Sequence, residues 1–433
     1  MAKKRKNISG KSTIVLFFLI GLILFGGYFM LTGNDPIGLF SETVPATETA
    51  ESSASLLPTL PATETAESPT SLPPTLPATE MAESPASLPP TLPVPAVESA
   101  THSDWWEVYF VNHSGAYSAK NYAGSIEDEL IKKIDGAMDS IHIASFEFNL
   151  TPVADALIRA QERGVDVRWV TDDEHGLEAD EDPGRGQFEM LEDAGIEIRD
   201  DARGALMHNK FWIFDKKILW TGSTNITESG IFEQDNNTIV IHSPALAEIY
   251  EREFEEMWNG EFGPRSPSTV ENQQVNINGT PIQILFAAED DVAAHLLRYL
   301  DNAQSSIRFL AFSFTHDAMG ESIRNRDIAG VDVMGVFEKT GSSTEYSELG
   351  KMYCAGMAVR RDENRSFLHD KVIIIDDRIV ITGSFNFSDN ADESNDENVL
   401  IIDNPEIAAL YLQEFNRIWA MSSDPAPDKF SCE

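Results

Sequence analysis

One pattern of eighteen residues occurs twice in this chain, and its spacing constrains the fold more than any other feature. The copies are HNKFWIFDKKILWTGSTN, which begins at His208, and HDKVIIIDDRIVITGSFN, which begins at His369. An apolar run, a two-residue polar turn and a second apolar run predict a β-hairpin. Because side chains alternate between the two faces of a strand, each histidine shares a face with the lysine two positions later. A hairpin does not need either residue for packing, so the repetition indicates a functional site.

The surroundings of the two hairpins are duplicated as well. SIHIASFEFNLTPVADALIRAQERGVDVRWV begins at Ser140, and SIRFLAFSFTHDAMGESIRNRDIAGVDVMGVF begins at Ser306; each predicts a strand, a helix and a strand. Amphipathic helices are predicted at the two ends of each half, over residues 126–138, 245–260, 292–303 and 405–420. This alternation predicts two α/β/α sandwich halves with mixed, largely parallel sheets. The expected boundaries are residues 104–262 for the first half, 263–280 for a linker, 281–424 for the second half and 425–433 for a tail.

The N-terminal residues are expected to lie outside this globular head. Residues 1–13 are rich in lysine and predict a cytoplasmic tail, and the uncharged run 14–31 predicts a transmembrane signal anchor. A cleaved signal peptide is the alternative, and either reading exports the rest of the chain. Residues 32–103 contain sixteen-residue repeats such as PATETAESPTSLPPTL, which bury too little apolar surface to fold and predict a disordered stalk. We therefore expect a single-pass protein of the cell membrane with an extracytoplasmic head, or a secreted protein after cleavage.

Charge and cysteine content narrow the function classes. The formal net charge of −39 disfavours nonspecific binding of nucleic acid, which requires a basic surface. Of the two cysteines, Cys354 is expected to be a small core residue and Cys432 a free thiol in the tail, although the two could pair outside the cytoplasm. The acidic loop Asp172–Asp182 has no ordered set of calcium ligands and is expected to be solvated.

The motifs HNKFWIFD with GSTN, and HDKVIIID with GSFN, resemble those of the phospholipase D superfamily, the HKD phosphodiesterases, over residues 106–424. The resemblance implies that both motifs meet at one pseudo-twofold cleft between two PLD-like halves. It also implies a structural role, beneath the site, for Asp215 and Asp376, which complete the motifs.

The residues themselves suit the cleavage of a phosphodiester. That reaction needs a nucleophile, positive charge on the nonbridging oxygens and a proton for the leaving alkoxide. Two histidines can supply the first and the third, and two lysines with amide and hydroxyl donors can supply the second, so no cofactor or metal is expected. The expected catalytic residues are His208, Lys210, His369 and Lys371, and the expected phosphate-binding or supporting residues are Asn225, Asn386, Ser223 and Ser384. We expect His208 to form a phosphohistidine while His369 protonates the leaving alcohol.

One difference between the halves bears on these roles. In the family, a carboxylate eleven residues after the motif asparagine usually orients a catalytic histidine; Glu397 stands there in the second half and Asn236 in the first. If the carboxylate serves the opposite half, as the family suggests, Glu397 makes His208 the better nucleophile. If it serves its own half, the roles reverse, and the sequence leaves both possibilities open.

The remaining candidates have ordinary structural explanations. Trp105 and Trp106 are expected in the core, and Glu147, near a strand end, is a minor candidate for the wall of the site. The other histidines, His175 among them, stand outside any motif and are expected to be surface or core residues.

Three functions are compatible with these features, and they are ranked by how well the sequence supports each. The first is hydrolysis of phospholipids, or transfer of their phosphatidyl group, by a monomeric head on a membrane anchor. The alternative is an extracellular endonuclease of the same superfamily, which would need a basic groove. An inactive, stalked binding protein is disfavoured because both histidines, lysines, serines and asparagines of the motifs are present.

Overall fold

The computed structural model describes residues 101–111, 117–266 and 273–432. The predictions for the cytoplasmic tail 1–13, the anchor 14–31 and nearly all of the stalk 32–103 concern residues outside these ranges. No helix in the described part combines the length and the apolar character that crossing a bilayer requires.

The first half contains eight strands and five α-helices among its described residues. The strands are β1 Thr101–His102, β2 Trp106–Phe110, β3 Ser140–Ser145, β4 Asp166–Thr171, β5 Glu197–Asp200, β6 Lys210–Phe214, β7 Ile218–Gly222 and β8 Asn237–His242. The helices are α1 Ile126–Gly136, α2 Thr151–Glu162, α3 Gln187–Asp193, α4 Glu228–Phe232 and α5 Pro244–Trp258. Ser125 caps α1 and Ser243 caps α5, each by accepting a backbone N–H with its hydroxyl oxygen.

The second half repeats this order in its described residues. Its strands are β9 Gln273–Ile277, β10 Thr280–Ala287, β11 Ser306–Ala311, β12 Asp332–Phe337, β13 Ala358–Arg361, β14 Lys371–Ile375, β15 Ile379–Gly383 and β16 Glu397–Asp403. Its helices are α6 Val292–Asp301, α7 Asp317–Ile328, α8 Glu348–Cys354, α9 Asp389–Glu393 and α10 Pro405–Met421. Single turns of 3₁₀ or π helix occupy Asp173–Leu177, Glu178–Glu181, Gly263–Arg265, Gly341–Ser343 and Pro427–Lys429. The four amphipathic helices predicted from sequence begin and end within two residues of their predicted bounds.

The described strands form two eight-stranded sheets, ordered β1-β2-β8-β7-β6-β3-β4-β5 and β13-β12-β11-β14-β15-β16-β10-β9. The prediction of a duplicated mixed α/β fold is confirmed, but the prediction of largely parallel sheets is wrong. Only β3-β4-β5 and β11-β12-β13 are parallel; every other neighbouring pair is antiparallel. The reason is that helical crossovers join neighbouring strands only there, whereas β6 with β7 and β14 with β15 form hairpins.

The two halves share a core. Alternate residues of β14 face opposite ways: Val372 and Ile374 belong to an apolar cluster drawn from both halves, and Ile373 and Ile375 belong to a cluster of the second half alone. The helices α5 and α10 contribute Tyr250 and Tyr411 to the shared cluster. The hairpins therefore lie between the halves, which places their histidines at the interface.

The C-terminal segment differs from its prediction. Cys354, exposed at the end of α8, forms a disulfide with Cys432, so the expectation of a core residue and a free thiol is wrong. The ring of Phe430 packs on Tyr353 with centroids 5.0 Å apart, which brings the tail close enough to pair. The predicted linker 263–280 also contains strand β9, which pairs with β10 at the edge of the second sheet.

Candidate active site

The two histidine–lysine motifs meet where the halves contact each other. His208 and His369 each stand two residues before a central strand, β6 or β14. The backbone N–H of His208 donates to the carbonyl of Asp396 at 2.9 Å, and that of His369 donates to the carbonyl of Asp235 at 2.9 Å. Each motif is thus fixed at its first residue by the opposite half.

The imidazole rings are also oriented by the opposite half. Nδ1 of His208 lies 2.7 Å from Oε2 of Glu397, and Nδ1 of His369 lies 2.9 Å from Oδ1 of Asn236. All four side chains are buried. Of the two pairings that the sequence left open, the structure contains the crossed one, in which Glu397 contacts His208.

This crossed pairing defines which ring nitrogen is reactive. The Nδ2 group of Asn236 donates to the carbonyl of Gly230 at 2.9 Å, so Oδ1, which can only accept, faces His369. Nδ1 of His369 is therefore the protonated ring nitrogen and donates to Asn236, and Nδ1 of His208 is likewise protonated and donates to the carboxylate of Glu397. In both neutral rings Nε2 keeps its lone pair for nucleophilic attack or proton transfer.

The lysines of the motifs are held in matching positions. Nζ of Lys210 donates to the carbonyl of His208 at 2.8 Å, and Nζ of Lys371 donates to the carbonyl of His369 at 2.6 Å. Each ammonium also lies over an aromatic ring, at 4.9 Å from the centroid of Phe146 for Lys210 and at 4.6 Å from the matching phenylalanine of the second half for Lys371. The ring thereby holds the cation in place inside the site.

Burial and mutual charge shape the protonation of this site. Burial, followed by the charges of Lys210 and Lys371, lowers the pKa of both His208 and His369 well below the ordinary value. Burial also lowers the pKa of Lys210 to about 8, against the opposing charge of Glu397, and burial with the charge of Lys210 lowers the pKa of Lys371 well below its ordinary value. Both lysines act on both histidines, so the four groups form a single electrostatic site.

The residue that contacts His208 is itself perturbed. Burial raises the pKa of Glu397 to about 7, and the charge of Lys210 opposes that rise. Nδ1–H of His208 faces this carboxyl, and positive charge on the ring favours the ionised form of Glu397.

The motif serines and asparagines have different surroundings. Oγ of Ser223 donates to Oδ1 of Asn236 at 2.8 Å, and Ser384 hydrogen-bonds Glu397. Both hydroxyls thus lie behind the groups that orient the histidines. Oδ1 of Asn225 and Oδ1 of Asn386 are buried without a hydrogen-bond partner among the described residues, and each asparagine is the third residue after the end of β7 or β15.

The motif aspartates lie at the far end of each hairpin from the histidines. Asp215 and Asp376 have φ of 52° and 53°, and the next residue in each turn also has positive φ, as a type I′ turn requires. The carboxylate of Asp215 accepts the N–H groups of Met138, Asp139 and Ser140. The carboxylate of Asp376 accepts those of Gln304, Ser305 and Ser306. Both tie the hairpin turn to the start of the neighbouring strand, which is a structural role.

Several side chains at the site were not found from sequence. The rings of Phe146 and Phe312 contact His208 and His369 edge-on, with centroids 4.8 and 4.7 Å apart. These two phenylalanines stand at the same offset in the two repeats, which is a signal that could have found them. His175, expected to be a surface or core residue, packs on Phe146 at 4.9 Å, and its charge contributes to lowering the pKa of His208.

The other candidates lie as follows. Trp106 is in the core and Trp105 packs against it. Glu147 is partly buried, and its charge raises the pKa of Lys210, so it borders the site. The expectation of a solvated acidic loop is wrong at its first residue, Asp172, which is buried and accepts the backbone N–H groups of His175 and Met207. This contact connects the loop to the residue before His208.

The fold and the site together define a class: a duplicated α/β protein in which two histidines and two lysines, one pair from each half, lie at one buried site. The family model described as "Cardiolipin synthase, PLD-like domain" matches residues 130–258 and 296–419. The chain belongs to this PLD-like family, and the resemblance to the phospholipase D superfamily is confirmed.

Individual relatives match parts of the chain. Mitochondrial cardiolipin hydrolase of Mus musculus is 35% identical over 126 residues, which are 29% of this chain and 57% of that protein. Phospholipase D of Rickettsia conorii is 36% identical over 139 residues, 32% of this chain and 70% of that protein. The chain thus spans little more than half the length of the mouse relative. The crystal structure of phosphatidylserine synthase from Haemophilus influenzae superposes with a TM-score of 0.58 at 13% identity, over 73% of this chain and 86% of that one, and supports the fold alone.

Proposed function

We propose that this chain is a phosphoric diester hydrolase of phospholipase D type, which hydrolyses phospholipids or transfers their phosphatidyl group through a phosphohistidine. The observation that carries the proposal is the crossed contact of His208 with Glu397 and of His369 with Asn236, beside two buried lysines. In this arrangement each half orients the imidazole of the other half, and the Nε2 atoms of both rings keep their lone pairs for chemistry. The site supplies a nucleophile, an acid and two lysine cations without a metal or an organic cofactor.

In the first step Nε2 of His208 attacks phosphorus, and the bond from phosphorus to the leaving oxygen breaks. Nε2–H of His369 gives its proton to that oxygen, so an alcohol leaves. Lys210 and Lys371 stabilise the negative charge on the nonbridging oxygens, with the amides of Asn225 and Asn386 as further hydrogen-bond partners. Glu397 stabilises the positive charge that forms on the ring of His208.

Substrate binding also determines the protonation state of His369, the general acid. In the free site, burial and the lysine charges hold the pKa of His369 well below its ordinary value. A bound phosphodiester brings a negative charge next to the same cations, which favours the imidazolium form of His369. The general acid is therefore charged when the substrate is present.

In the second step the roles of His369 reverse. Its neutral Nε2 takes a proton from water, or from an acceptor alcohol, and the resulting oxygen nucleophile attacks phosphorus. The bond from phosphorus to Nε2 of His208 breaks, and its electron pair returns to the ring. Water gives a phosphatidic acid, and an alcohol gives an exchanged phospholipid.

Three observations favour a phospholipid substrate. The net charge of −39 opposes the approach of a polynucleotide. The relatives named cardiolipin hydrolase and phospholipase D carry names for activity on lipids. The uncharged run 14–31, which follows a lysine-rich segment, suits a membrane anchor, with residues 32–103 as a stalk between the anchor and a monomeric extracytoplasmic head.

The test is to assay the full chain in detergent micelles with phosphatidylcholine, with cardiolipin, and separately with single-stranded and duplex DNA, all in excess chelator. We expect release of the lipid head group and an acid-labile phosphatidyl adduct that is lost in His208→Ala. Cleavage of DNA without cleavage of lipid would favour the endonuclease alternative. Full activity in the variant His208→Ala/His369→Ala would refute the mechanism.

A further inference from the structure

Two buried hydrogen-bond chains run beneath the histidines, one for each ring, and their members occupy matching positions in the two repeats. We call them the His208 chain and the His369 chain. The His208 chain consists of Glu397, Ser384, Asn398 and Asn209. The His369 chain consists of Asn236, Ser223, Asn237 and Asp370.

Each chain contains one carboxyl group, at opposite ends. In the His208 chain the carboxyl of Glu397 touches the imidazole, and the far end is the amide of Asn209, whose Oδ1 accepts from Nδ2 of Asn398 at 2.9 Å. In the His369 chain the amide of Asn236 touches the imidazole. The far end is the carboxyl of Asp370, whose Oδ1 accepts from Nδ2 of Asn237 at 2.7 Å. The carboxyl that is absent beside His369 is thus present at the end of its chain.

The links between Asp370 and His369 are continuous. Nδ2 of Asn237 donates to Oδ1 of Asp370 at 2.7 Å and to Oγ of Ser223 at 3.3 Å, and Oγ of Ser223 donates to Oδ1 of Asn236 at 2.8 Å. That same Oδ1 accepts Nδ1–H of His369 at 2.9 Å. A displacement of Asp370 therefore reaches the ring through four consecutive hydrogen bonds.

Asp370 is not explained by packing alone. It is fully buried, and its Oδ2 has no hydrogen-bond partner among the described residues. An asparagine there would preserve the contact of Oδ1 with Asn237, as Asn209 does in the other chain. A carboxyl group at this position adds the capacity to ionise, which an amide lacks.

The charged groups around Asp370 determine when it ionises. Burial and the charges of Glu414 on α10 and of Asp235 before β8 raise the pKa of Asp370 to about 8, and the charge of Lys371 on β14 opposes that rise. Arg417 on α10 forms ion pairs with both Glu414 and Asp235. Near neutral pH the carboxyl is therefore mainly neutral, and a positive charge on the adjacent motif favours its ionised form.

We propose that Asp370 is a positioning residue for His369. Through Ser223 and Asn237 it holds Asn236 against the ring, and its carboxylate stabilises the imidazolium that an amide contact leaves without a counter-charge. This inference rests on the proposed function, in which the imidazolium of His369 protonates the leaving group. Asp370 itself does not touch the substrate.

The test compares the full chain with its Asp370→Asn variant on bis(4-nitrophenyl) phosphate. We expect kcat to fall about 10-fold with little change in KM, because outer hydrogen-bond partners typically contribute that much. The alkaline limb of the pH profile of kcat, which follows the protonated acid, should move to lower pH. In Asp370→Asn/Asn236→Asp the carboxyl returns to the chain in direct contact with His369, and kcat should recover. A role in packing alone would give no such recovery.

Controls separate this inference from the proposed function. Asp377→Asn, at the exposed hairpin turn, should match the parent protein. If Asp370→Asn fails to fold by circular dichroism, Ser223→Ala interrupts the same chain and should give the same shift. Histidine NMR without substrate should show a changed Nδ1–H resonance of His369 in Asp370→Asn, even if the parent cleaves no diester and the proposed function fails. An unchanged Nδ1–H resonance of His369, or a folded Asp370→Asn variant that Asn236→Asp does not rescue, overturns the inference.

Discussion

Replacement of Glu397 by glutamine is the sharpest test of the crossed pairing. Oε2 of Glu397 accepts from Nδ1 of His208 at 2.7 Å, and Oε1 accepts from Nδ2 of Asn395 at 3.2 Å. Asn395 cannot reverse its amide, because its Oδ1 accepts the backbone N–H of Leu206 at 3.2 Å. His208 and Asn395 are therefore both donors to the carboxylate, as is the hydroxyl of Ser384, and a glutamine amide has only one oxygen to accept from them.

The size of the effect follows from these contacts. Loss of the charge turns a charge-assisted hydrogen bond into a neutral one, which costs about 1 kcal/mol. A donor of the glutamine amide that faces another donor leaves one buried group unsatisfied, which costs about 2 kcal/mol more. If the amide instead turns its Nε2 toward His208, the ring must move its proton to Nε2 and loses its nucleophilic lone pair. The unsatisfied group lowers stability in the ground state and the transition state alike, whereas the charge-assisted bond strengthens as the ring of His208 becomes positive. We therefore expect kcat to fall about 100-fold, the upper end for outer partners of this kind.

The assay is steady-state turnover of a soluble short-chain phosphatidylcholine, with formation of the acid-labile adduct followed in the same samples. In Glu397→Gln we expect kcat and the rate of adduct formation to fall together, with KM nearly unchanged. Glu393→Gln, an exposed carboxylate on the same segment, serves as the control and should behave as the parent does. A folded Glu397→Gln variant with kcat within about 3-fold of the parent would refute the reasoning, since the expected loss is about 100-fold.

Three further predictions concern stability. Glu127 is fully buried, neither carboxyl oxygen has a hydrogen-bond partner among the described residues, and burial raises its pKa to about 8. Because the folded chain holds this proton after the unfolded chain has lost it, the free energy of unfolding falls as pH rises from about 4.5 to 8. In thermal unfolding, Glu127→Gln should be more stable than the parent by about 2 kcal/mol at pH 8 and equally stable at pH 4. The disulfide of Cys354 with Cys432 joins residues 78 positions apart, so the variant Cys354→Ser/Cys432→Ser should lose up to about 4 kcal/mol of unfolding free energy. Equal urea midpoints for the variant and the parent would contradict this. Burial favours a higher pKa for Asp376, but the backbone hydrogen bonds to its carboxylate outweigh burial and lower the pKa. The stabilisation by Asp376 is therefore present above pH 3.8 and is lost as pH falls further. Asp376→Asn should lose about 1–2 kcal/mol of stability at pH 7 with kcat unchanged, and a lower kcat in the folded variant would contradict the structural role.

Local patterns predicted much of the fold because they depend on neighbours in sequence. The alternation of apolar residues after His208 and His369 determines the two hairpins, and the amphipathic periods determine the four helices at the ends of the halves. The proportion of parallel pairs was mispredicted because a strand's neighbours depend on how its connections cross the sheet. The same limit applies to the cysteines, whose separation of 78 residues contains no information about distance in space.

The amino-acid pattern alone shows that this chain has two copies of one α/β unit and that each copy presents a histidine and a lysine on one strand face. It also determined that one copy has a carboxyl and the other an amide at the positions of Glu397 and Asn236. Which histidine each of these two residues contacts depends on how the halves pack, so that pairing could be read only from the folded protein. Burial between the halves also set the protonation of the site and placed Asp370 at the end of the His369 chain, since desolvation acts only once the surrounding residues have excluded water.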